Sequence, residues 1–529
     1  MLTASGAKHR ISAKRVFAPL VAAASLLIAS HAAALPGDLD AGFGDAGLVI
    51  SDLGEETSVR DIVLQPDGRI VMVGENPGPG GGFLVARYRA DGTFDPTFSG
   101  GGWNFIEVPV ERSEASSVAL QGNKIIVGGV TQDPVDQRHL VLLRLTAGGA
   151  LDPTFGGGDG IVKRTLNDDP PGGAGVVDIA VQPNGRIVAV ASYMDIYVVR
   201  FMPNGGLDTG FGTNGETEVS IADTHSVKAV ALQNNGRIVV AGTAQVLSND
   251  QDFLVARLLP SGDPDDTFDG DGIAVTPVSD TEGDVAEDMM IQGDGKIVAA
   301  GWVEDASDRD FAVVRYTSTG TPDNDFSGNG IVSFGDTDLS DYALAVARHT
   351  GGKILVGGTI QLDTLDSAAV LARLRPNGTL DNVFSGNGSL VEDFGLSNAA
   401  FISLAVTPNG SIIAGAALQD GTDQYLGLAK FRDRDASLLT LEITRRPTTV
   451  RLAGDLAPNK PGQKVTVSFF RSKSGGGFTR IGRKTLTLDG ASRYSTSFGR
   501  PNAPRCRATV TYPGDQLNLP STRTKTFTC

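Results

Sequence analysis

The sequence predicts an all-β protein: a seven-bladed β-propeller with four-stranded blades, followed by a small β-sandwich domain. Three observations lead to this fold class. A segment recurs seven times at spacings of 55 to 58 residues, each period holds short apolar stretches separated by turn residues, and the charge changes sign near the C-terminus. The acidic overall composition, with a sequence pI near 4.8, argues against nucleic acid as a general partner.

The recurring segment has the form Leu-Asp-x-x-Phe or a close variant. Its aromatic column is Phe43, Phe98, Phe155, Phe211, Phe268, Phe326 and Phe384. Three residues earlier stands an acidic column, Asp40, Asp95, Asp152, Asp208, Asp265, Asp323 and Asp381. A basic column completes the pattern at Arg87, Arg144, Arg200, Arg257, Arg315, Arg373 and Lys430.

Within the first copy, four stretches have strand composition: Leu48 to Asp52, Val59 to Leu64, Ile70 to Val73 and Phe83 to Tyr88. A tight turn, Gln65-Pro66-Asp67-Gly68, separates the second from the third and recurs in later copies. Four strands in about 57 residues favour a propeller blade. A β-solenoid is the alternative, but its coils are usually shorter, about 20 to 30 residues.

The arithmetic of the columns predicts that the two ends of the repeat region meet. In six copies the basic residue precedes the Asp by eight positions, whereas Lys430 has no such Asp and Asp40 has no such basic residue. A closed ring would join this split seventh pair, so we expect Lys430 to lie near Asp40.

Residues 1–34 have the composition of a signal peptide, with a basic start, an apolar run and the small residues Ala32 to Ala34. A membrane anchor is the alternative, although the apolar run is short and contains Pro19. The sequence therefore predicts a secreted or cell-surface protein without a membrane span after cleavage. Its two cysteines, Cys506 and Cys529, are expected to form a disulfide in that compartment.

The charge divides the remaining chain into two predicted domains. Residues 437–529 carry sixteen Lys and Arg against four Asp and Glu, whereas residues 35–436 carry a net charge of −32. Alternating strands in the basic segment predict a β-sandwich similar to Ig-like or fibronectin-like modules. Its basic surface could bind an anionic cell-wall or extracellular polymer, dock on the acidic propeller, or simply be solvated.

Residues 37 to 431 resemble the bacterial delta-60 repeat proteins, a secreted β-propeller family of uncharacterised function. The resemblance rests on the Leu-Asp-x-x-Phe-Gly segment, on Gln-Pro-Asp-Gly-Arg-Ile-Val and its variants, and on Phe-Leu-Val-Ala-Arg-Tyr at 83–88. It implies a propeller fold and supplies no catalytic or ligand-binding residues.

The three columns are interpreted as structural because residues that recur in every blade fix the repeat. We expect no catalytic residue and no metal, with calcium as the remaining cofactor hypothesis at the glycine-rich loops of Asp159, Asp269 and Asp271. Departures from the repeat stand at His139, Tyr193 and Trp302. The sequence favours a non-catalytic ligand-binding or surface-interaction protein, and the alternative is an extracellular polysaccharide hydrolase or lyase that uses propeller carboxylates. The ligand is expected on one face at the propeller axis.

Overall fold

The computed structural model describes residues 36–54, 57–76, 82–108, 112–133, 138–166, 175–193, 195–220, 225–247, 250–279, 283–304, 308–335, 339–362, 366–433, 435–436, 438–439, 441–457, 462–473, 477–490, 492–512, 518–519 and 521–529. The predicted signal peptide, residues 1–34, lies outside this range. The described residues form an all-β structure with one short 3-10 turn at Thr350–Gly352. Within them, no helix has the length and apolar character needed to cross a membrane.

Five antiparallel four-stranded sheets follow one another along the chain, each with its strands in sequential order. They begin after strand β1 (Leu48–Ser51). The sheets are β2 (Ser58–Leu64), β3 (Ile70–Glu75), β4 (Phe83–Tyr88), β5 (Trp103–Ile106); β6 (Arg112–Gln121), β7 (Lys124–Gln132), β8 (Arg138–Leu145), β9 (Ile161–Arg164); β10 (Val176–Val181), β11 (Ile187–Tyr193), β12 (Asp195–Phe201), β13 (Glu216–Val219); β14 (His225–Leu232), β15 (Ile238–Leu247), β16 (Asp250–Leu258), β17 (Ile273–Thr276); and β18 (Asp284–Ile291), β19 (Ile297–Glu304), β20 (Arg309–Tyr316), β21 (Ile331–Phe334).

A further sheet contains two four-stranded antiparallel groups, joined by one parallel bridge between Ser367 and Asn398. The first group is β22 (Asp341–Arg348), β23 (Ile354–Gln361), β24 (Ser367–Leu374) and β25 (Ser389–Glu392). The second is β26 (Asn398–Val406), β27 (Ile412–Asp420), β28 (Asp423–Phe431) and the N-terminal strand β1, which pairs with β28 through Leu48 and Ala429. Strand β1 thus belongs to the last group, although its sequence lies in the same period as β2, β3 and β4.

The core lies between neighbouring four-stranded groups. Strands β3 and β4 are buried along their whole length because both of their faces are covered. Each Phe of the aromatic column is fully buried, and Phe268, for example, packs with Val255 of one group and Val314 of the next. The apolar faces of successive sheets therefore stabilise one another.

The first strand of each group lies innermost, and these strands contact one another in cyclic order, with β26 also contacting β2. Every one of the seven carries a β-bulge near its middle, such as the one between Val59 and Asp61. A bulge inserts one extra residue and changes the direction in which the local side chains point.

The turn between the first two strands of a group has the predicted chemistry. Gly68 has φ +85°, a conformation that residues with a Cβ rarely adopt, and Asp67 Oδ1 accepts the Arg69 N–H at 3.1 Å. The turn therefore fixes the register of β2 against β3.

The C-terminal strands form two four-stranded sheets and a two-stranded pair. One sheet contains β30 (Leu438–Leu439), β31 (Glu442–Arg445), β32 (Thr449–Ala457) and β35 (Arg493–Gly499); the other contains β34 (Phe478–Thr487), β33 (Lys464–Ser472), β36 (Arg505–Tyr512) and β38 (Ser521–Thr528), in that order; and β29 (Asp435–Ala436) pairs with β37 (Asn518–Leu519). Buried residues of both sheets form one cluster, which includes Leu452 and Val467. The predicted disulfide between Cys506 and Cys529 is present in this cluster.

Candidate functional site

The residues of the three sequence columns meet at the junctions between neighbouring groups. In six copies the Arg Nε lies 2.7 to 3.0 Å from Oδ2 of the Asp eight residues later. The same guanidinium carbon stands 4.4 to 4.7 Å from the ring centroid of the following Phe. We call this unit the Arg–Asp–Phe clasp; its members are the residues of the three columns given above.

Each clasp also crosses to the next group. Arg257 Nη1 donates to the backbone carbonyl of Ser318 at 2.6 Å, and four other clasps repeat this bond at 2.5 to 2.6 Å. In the sixth clasp, Arg373 instead pairs with the buried carboxylate of Asp433. The Arg column therefore links successive four-stranded groups, a role that fits the structural interpretation of these residues.

The split seventh clasp joins the two ends of the repeat region. Lys430 Nζ lies 3.3 Å from Asp40 Oδ2 and 5.5 Å from the centroid of Phe43. The Asp40 N–H donates to the Lys430 carbonyl at 2.7 Å. The N-terminal residues therefore occupy the position that the spacing predicts for them.

A second basic column, which our sequence analysis missed, reaches the same carboxylates. In six copies a basic residue at the end of the turn, directly after the turn glycine in all but the second copy, lies 2.5 to 3.0 Å from the Asp of the clasp; the six are Arg69, Lys124, Arg186, Arg237, Lys296 and Lys353. The signal was visible, since a basic residue follows the turn in six copies. Burial alone would raise the pKa of Asp265, but hydrogen bonds from Thr267 and Arg237 and the charge of Arg257 lower it to about 2.

A cavity of about 620 Å³ lies where the seven innermost strands converge, and every one of them contributes to its lining. The extra residue of each β-bulge points into it. We call these residues the bulge ring: Arg60, Ser116, Val177, Lys228, Glu287, Leu344 and Ile402. Seven equivalent positions thus hold seven different residue types. Leu344 and Ile402 come from adjacent groups, so the lining has an apolar arc beside charged and hydroxyl groups.

The residues that follow the bulge ring carry three carboxyl groups, Asp61, Asp178 and Asp288. Each bridges two innermost strands. Asp61, for example, accepts the N–H of Ile62 in its own strand at 2.7 Å and that of Val118 in the next at 2.8 Å. Asp178 and Asp288 repeat this arrangement. Burial raises the pKa of Asp61 to about 7, helped by the charge of Asp178, and burial raises that of Asp288 to about 8.

An aromatic and charged cluster adjoins the bulge ring. Glu287 pairs with Lys228 at 2.8 Å and accepts the Trp302 indole N–H at 3.4 Å. The guanidinium of Arg309 stacks over Trp302 at 4.3 Å and donates to the Tyr342 hydroxyl at 2.9 Å. Trp302, singled out as a departure from the repeat, therefore lies one hydrogen bond from the cavity lining.

The other departures lie elsewhere. His139 is buried, with Nδ1 2.8 Å from the Thr165 hydroxyl and Nε2 3.5 Å from Asp133. Tyr193 ends β11, and its side chain lies outside the described part of the structure.

The calcium candidates sit in turns. Asp159 and Asp271 each accept the backbone N–H two residues later, at 3.0 and 2.9 Å, and burial raises the pKa of Asp269 next to Asp271. Among the described residues, no group of three or more His, Cys, Asp or Glu side chains is arranged to hold a metal ion.

Comparison with solved structures gives similarities of low identity. A subtype N10 neuraminidase-like protein of A/little yellow-shouldered bat/Guatemala/060/2010 is 9% identical, with 73% of this chain and 98% of that chain covered and a TM-score of 0.36. The N11 neuraminidase-like protein of A/flat-faced bat/Peru/033/2010 (H18N11) is 12% identical, with coverages of 75% and 96% and a TM-score of 0.32. The GH43_1 enzyme from Xanthomonas citri complexed with xylose is 12% identical, with coverages of 57% and 90% and a TM-score of 0.26. At these TM-scores the similarities carry no argument about activity.

A comparison with curated proteins finds no match. Six segments match the family model described as "Domain of unknown function (DUF5122) beta-propeller": residues 65–98, 123–155, 182–211, 233–268, 292–326 and 352–384. Each contains one Arg–Asp–Phe clasp. The repeated four-stranded sheets and these six matches are consistent with a repeat β-propeller family.

Proposed function

We propose that this chain is an exported, non-catalytic seven-bladed β-propeller of the delta-60 type that binds a ligand at the bulge ring, followed by an Ig-like β-sandwich in residues 437–529. The single observation that carries the binding function is the bulge ring itself. The same backbone device aims one side chain from every copy into one cavity, yet all seven side chains differ. Residues that only stabilise the repeat recur, as the clasp does.

Seven blades are supported by the seven four-stranded groups and by the cyclic contacts of their innermost strands. Strand β1 completes the last group, so the ring would close by pairing the two ends of the repeat region. The Ig-like assignment is supported by two four-stranded sheets that share one buried cluster.

The ligand we propose is a sugar residue, either free or at the end of a glycan. A cavity of about 620 Å³ has the size of a small-molecule site. Its apolar arc at Leu344 and Ile402 suits the C–H face of a sugar ring. Ser116, Lys228 and Glu287 supply hydroxyl and charged groups for sugar hydroxyls.

Hydrolysis is the second candidate, and the carboxyl groups of Asp61, Asp178 and Asp288 beside the cavity favour it, since glycoside hydrolases use paired carboxyl groups. Their hydrogen bonds favour binding instead. Both oxygens of each carboxyl accept a backbone N–H, and these bonds join neighbouring strands. A carboxyl group held in this way serves the fold.

Two tryptophans allow a direct test. Trp302 adjoins the bulge ring and Trp103 lies on the outermost strand β5, so the variant Trp103→Phe reports from the cavity and Trp302→Phe reports from the periphery. A glycan panel titrated into both should produce saturable fluorescence changes in Trp103→Phe and none in Trp302→Phe. Reducing-end assays on the same mixtures should show no cleavage; released sugar would establish the hydrolase instead.

A substitution in the bulge ring tests the location. Ser116→Arg should abolish glycan binding because it places a long cationic side chain in the cavity, and it should fold because Arg60 already occupies the equivalent bulge position of the first group. Ser333→Arg, on the outermost strand β21, is the matched control and should bind normally. Equal binding by both variants would contradict the axial site.

No resident cofactor is part of this proposal. The carboxyl groups of Asp159 and Asp271 are engaged with the N–H groups of Ile161 and Ile273, so they stabilise their turns without a cation. The melting temperature should therefore be equal in calcium and in a chelator. A higher melting temperature in calcium would support the glycine-rich loops as a calcium site.

A further inference from the structure

One of the two C-terminal sheets has an extreme charge composition. The strands β34, β33, β36 and β38 contain nine Lys and Arg and no Asp or Glu. A surface of one sign repels itself unless a partner of opposite charge neutralises it. The position of these charges on the sheet decides whether such a partner could reach them.

The inner face of this sheet carries the apolar core, and five of the nine cations lie on the opposite face. On the inner face, Val465, Val467, Phe469, Ala508 and Val510 are buried against the other sheet. On the opposite face, Lys464, Arg480, Arg483 and Arg505 are exposed and Arg507 is half-buried. Side chains alternate between the faces of a strand, so the strand register places these five cations on one side.

Rows of hydroxyl groups run between the cations. The register aligns Thr485, Thr466 and Thr511 across three strands, and the next row contains Arg483, Ser468, Thr509 and Thr524 across all four. Neighbouring strands place such groups about 4.8 Å apart. We call this surface the basic face: the five cations together with these hydroxyl residues.

The cations of the basic face have no acidic partner within the described residues. Among the described residues of the C-terminal strands and their turns, an ion pair joins Arg493 to Asp489. Neither residue belongs to the sheet that carries the basic face. Arg507 stacks over Phe478 at 4.1 Å, and its buried Nε has no hydrogen-bond acceptor among the described residues. The guanidinium groups of the basic face therefore lie near the surface, where their N–H groups can donate to a bound anion.

We propose that the basic face is the docking surface for an extended acidic polysaccharide whose carboxylates pair with the Arg side chains and whose hydroxyls bond to the Thr rows. Arg matches a carboxylate through two parallel N–H bonds, and a flat sheet can contact several successive sugars. This inference is independent of the sugar site at the bulge ring.

Other polyanions fit the basic face less well. Single-stranded nucleic acid is usually bound on aromatic platforms, but Phe478 is covered by Arg507. Proteins that bind an anionic membrane surface usually also insert apolar side chains into the lipid. Ile481 is the one strongly exposed large apolar residue of this sheet among those described.

The test compares two triple variants of the full chain with equal net charge. Arg480→Gln, Arg483→Gln and Arg505→Gln remove charge from the basic face. Arg446→Gln, Arg451→Gln and Arg500→Gln remove the same charge from exposed positions beside or on the other sheet. Polygalacturonate is the acidic probe and dextran the neutral one, with binding measured by biolayer interferometry at low and high salt.

We expect the basic-face variant to bind polygalacturonate about tenfold or more weakly, because each lost charge-assisted hydrogen bond is worth at least that factor. The control variant should stay within about twofold, dextran should not bind, and added salt should weaken the wild-type interaction. Unchanged near-ultraviolet circular dichroism would show that both variants fold.

Three results would overturn the proposal. Equal loss in the two variants would mean that net charge alone governs binding. Tighter binding of duplex DNA or of phosphatidylserine vesicles than of polygalacturonate would assign the face to another class of partner. Salt-sensitive self-association without polysaccharide binding would identify the acidic surface of a second copy as the occupant.

Discussion

The Arg–Asp–Phe clasp and the bulge ring both recur in the seven four-stranded groups. They differ in whether the residue types recur as well. The clasp repeats the same residues with nearly the same geometry, from 2.7 to 3.0 Å between Arg and Asp. The bulge ring repeats only the backbone: the bulge is present in every copy and its side chain differs in every copy. The contacts that join neighbouring groups therefore recur in six copies, whereas the side chains that line the cavity differ from copy to copy.

Under the proposed function, this difference distinguishes residues that stabilise the repeat from residues that bind the ligand, without any comparison of related sequences. Where a side chain makes the same contact at every junction, the same residue type is the most stabilising one in every copy. A ligand has no seven-fold symmetry, so the residues that bind it should differ between copies. The following predictions test this division, beginning with the largest expected effect.

The aromatic member of the clasp should dominate stability. Phe268→Ala should lower the free energy of unfolding by about 3–5 kcal/mol because it leaves a cavity between two groups. Phe105→Ala, at a half-buried position on the outermost strand β5, is the matched control and should cost clearly less. Chemical denaturation followed by circular dichroism measures both, and equal losses would show that the aromatic column has no special role.

The buried cation should matter more than the exposed one that shares its Asp. Arg257→Met breaks bonds to Asp265, Thr267 and the Ser318 carbonyl and should cost about 3 kcal/mol, since it leaves the buried carboxylate of Asp265 with one cationic partner, Arg237. Arg237→Gln removes a partly exposed partner of the same Asp and should cost at most about 1 kcal/mol. Thermal and urea unfolding of both variants provide the comparison, and the reverse order would contradict it.

The axial carboxyl groups should make stability depend on pH. Because burial raises the pKa of Asp288 to about 8, the folded protein keeps a proton that the unfolded chain releases near pH 4. Its contribution is fully favourable below about pH 4 and is lost as the pH rises towards 8. Asp288→Asn removes this loss, so the fall in melting temperature between pH 5 and pH 8 should shrink by about 2–4 °C.

An exposed turn carboxyl provides the control for this pH effect. Asp294 is exposed in the turn after β18, away from the cavity, so Asp294→Asn removes one carboxyl group without touching the axial ones and is the matched control. A profile for Asp288→Asn that is parallel to the wild-type profile would show that Asp288 is ionised in the folded protein throughout this range.

The smallest effect is expected at the seventh clasp, where Lys430 replaces Arg. Lys430→Arg should stabilise the protein by less than about 1 kcal/mol, since a guanidinium can bond to Asp40 and stack on Phe43 together. The reciprocal change Arg373→Lys should destabilise it. Differential scanning calorimetry resolves both shifts, and a loss of stability in Lys430→Arg would mean that this junction is built differently from the others.

The sequence predicts the clasp because its residues recur at a fixed distance of eight, and it predicts the strands that carry the clasp because they are rich in β-branched and aromatic residues. The bulge ring could not be found in the same way. Its residue identities do not recur, and the alternation of apolar and polar residues does not reveal where a strand inserts an extra residue. The contact between Lys228, Glu287 and Trp302 joins strands of two groups, so only the packing of those groups brings it about. Trp302 was singled out only as a departure from the repeat, without its partners.

The pairing of β1 with β28 also sets the order in which the molecule can fold. Leu48 must wait for Ala429, about 380 residues later, before it gains its strand partner. During synthesis the first group can form its sheet early, while the segment that precedes it stays single and the last group lacks its outer strand. Contacts of such long sequence separation slow folding, because the entropy of closing the loop is lost before the pairing energy is gained. The pairing of β1 with β28 should therefore be the final, rate-limiting event, and the cavity lined by all seven innermost strands should be complete only after it.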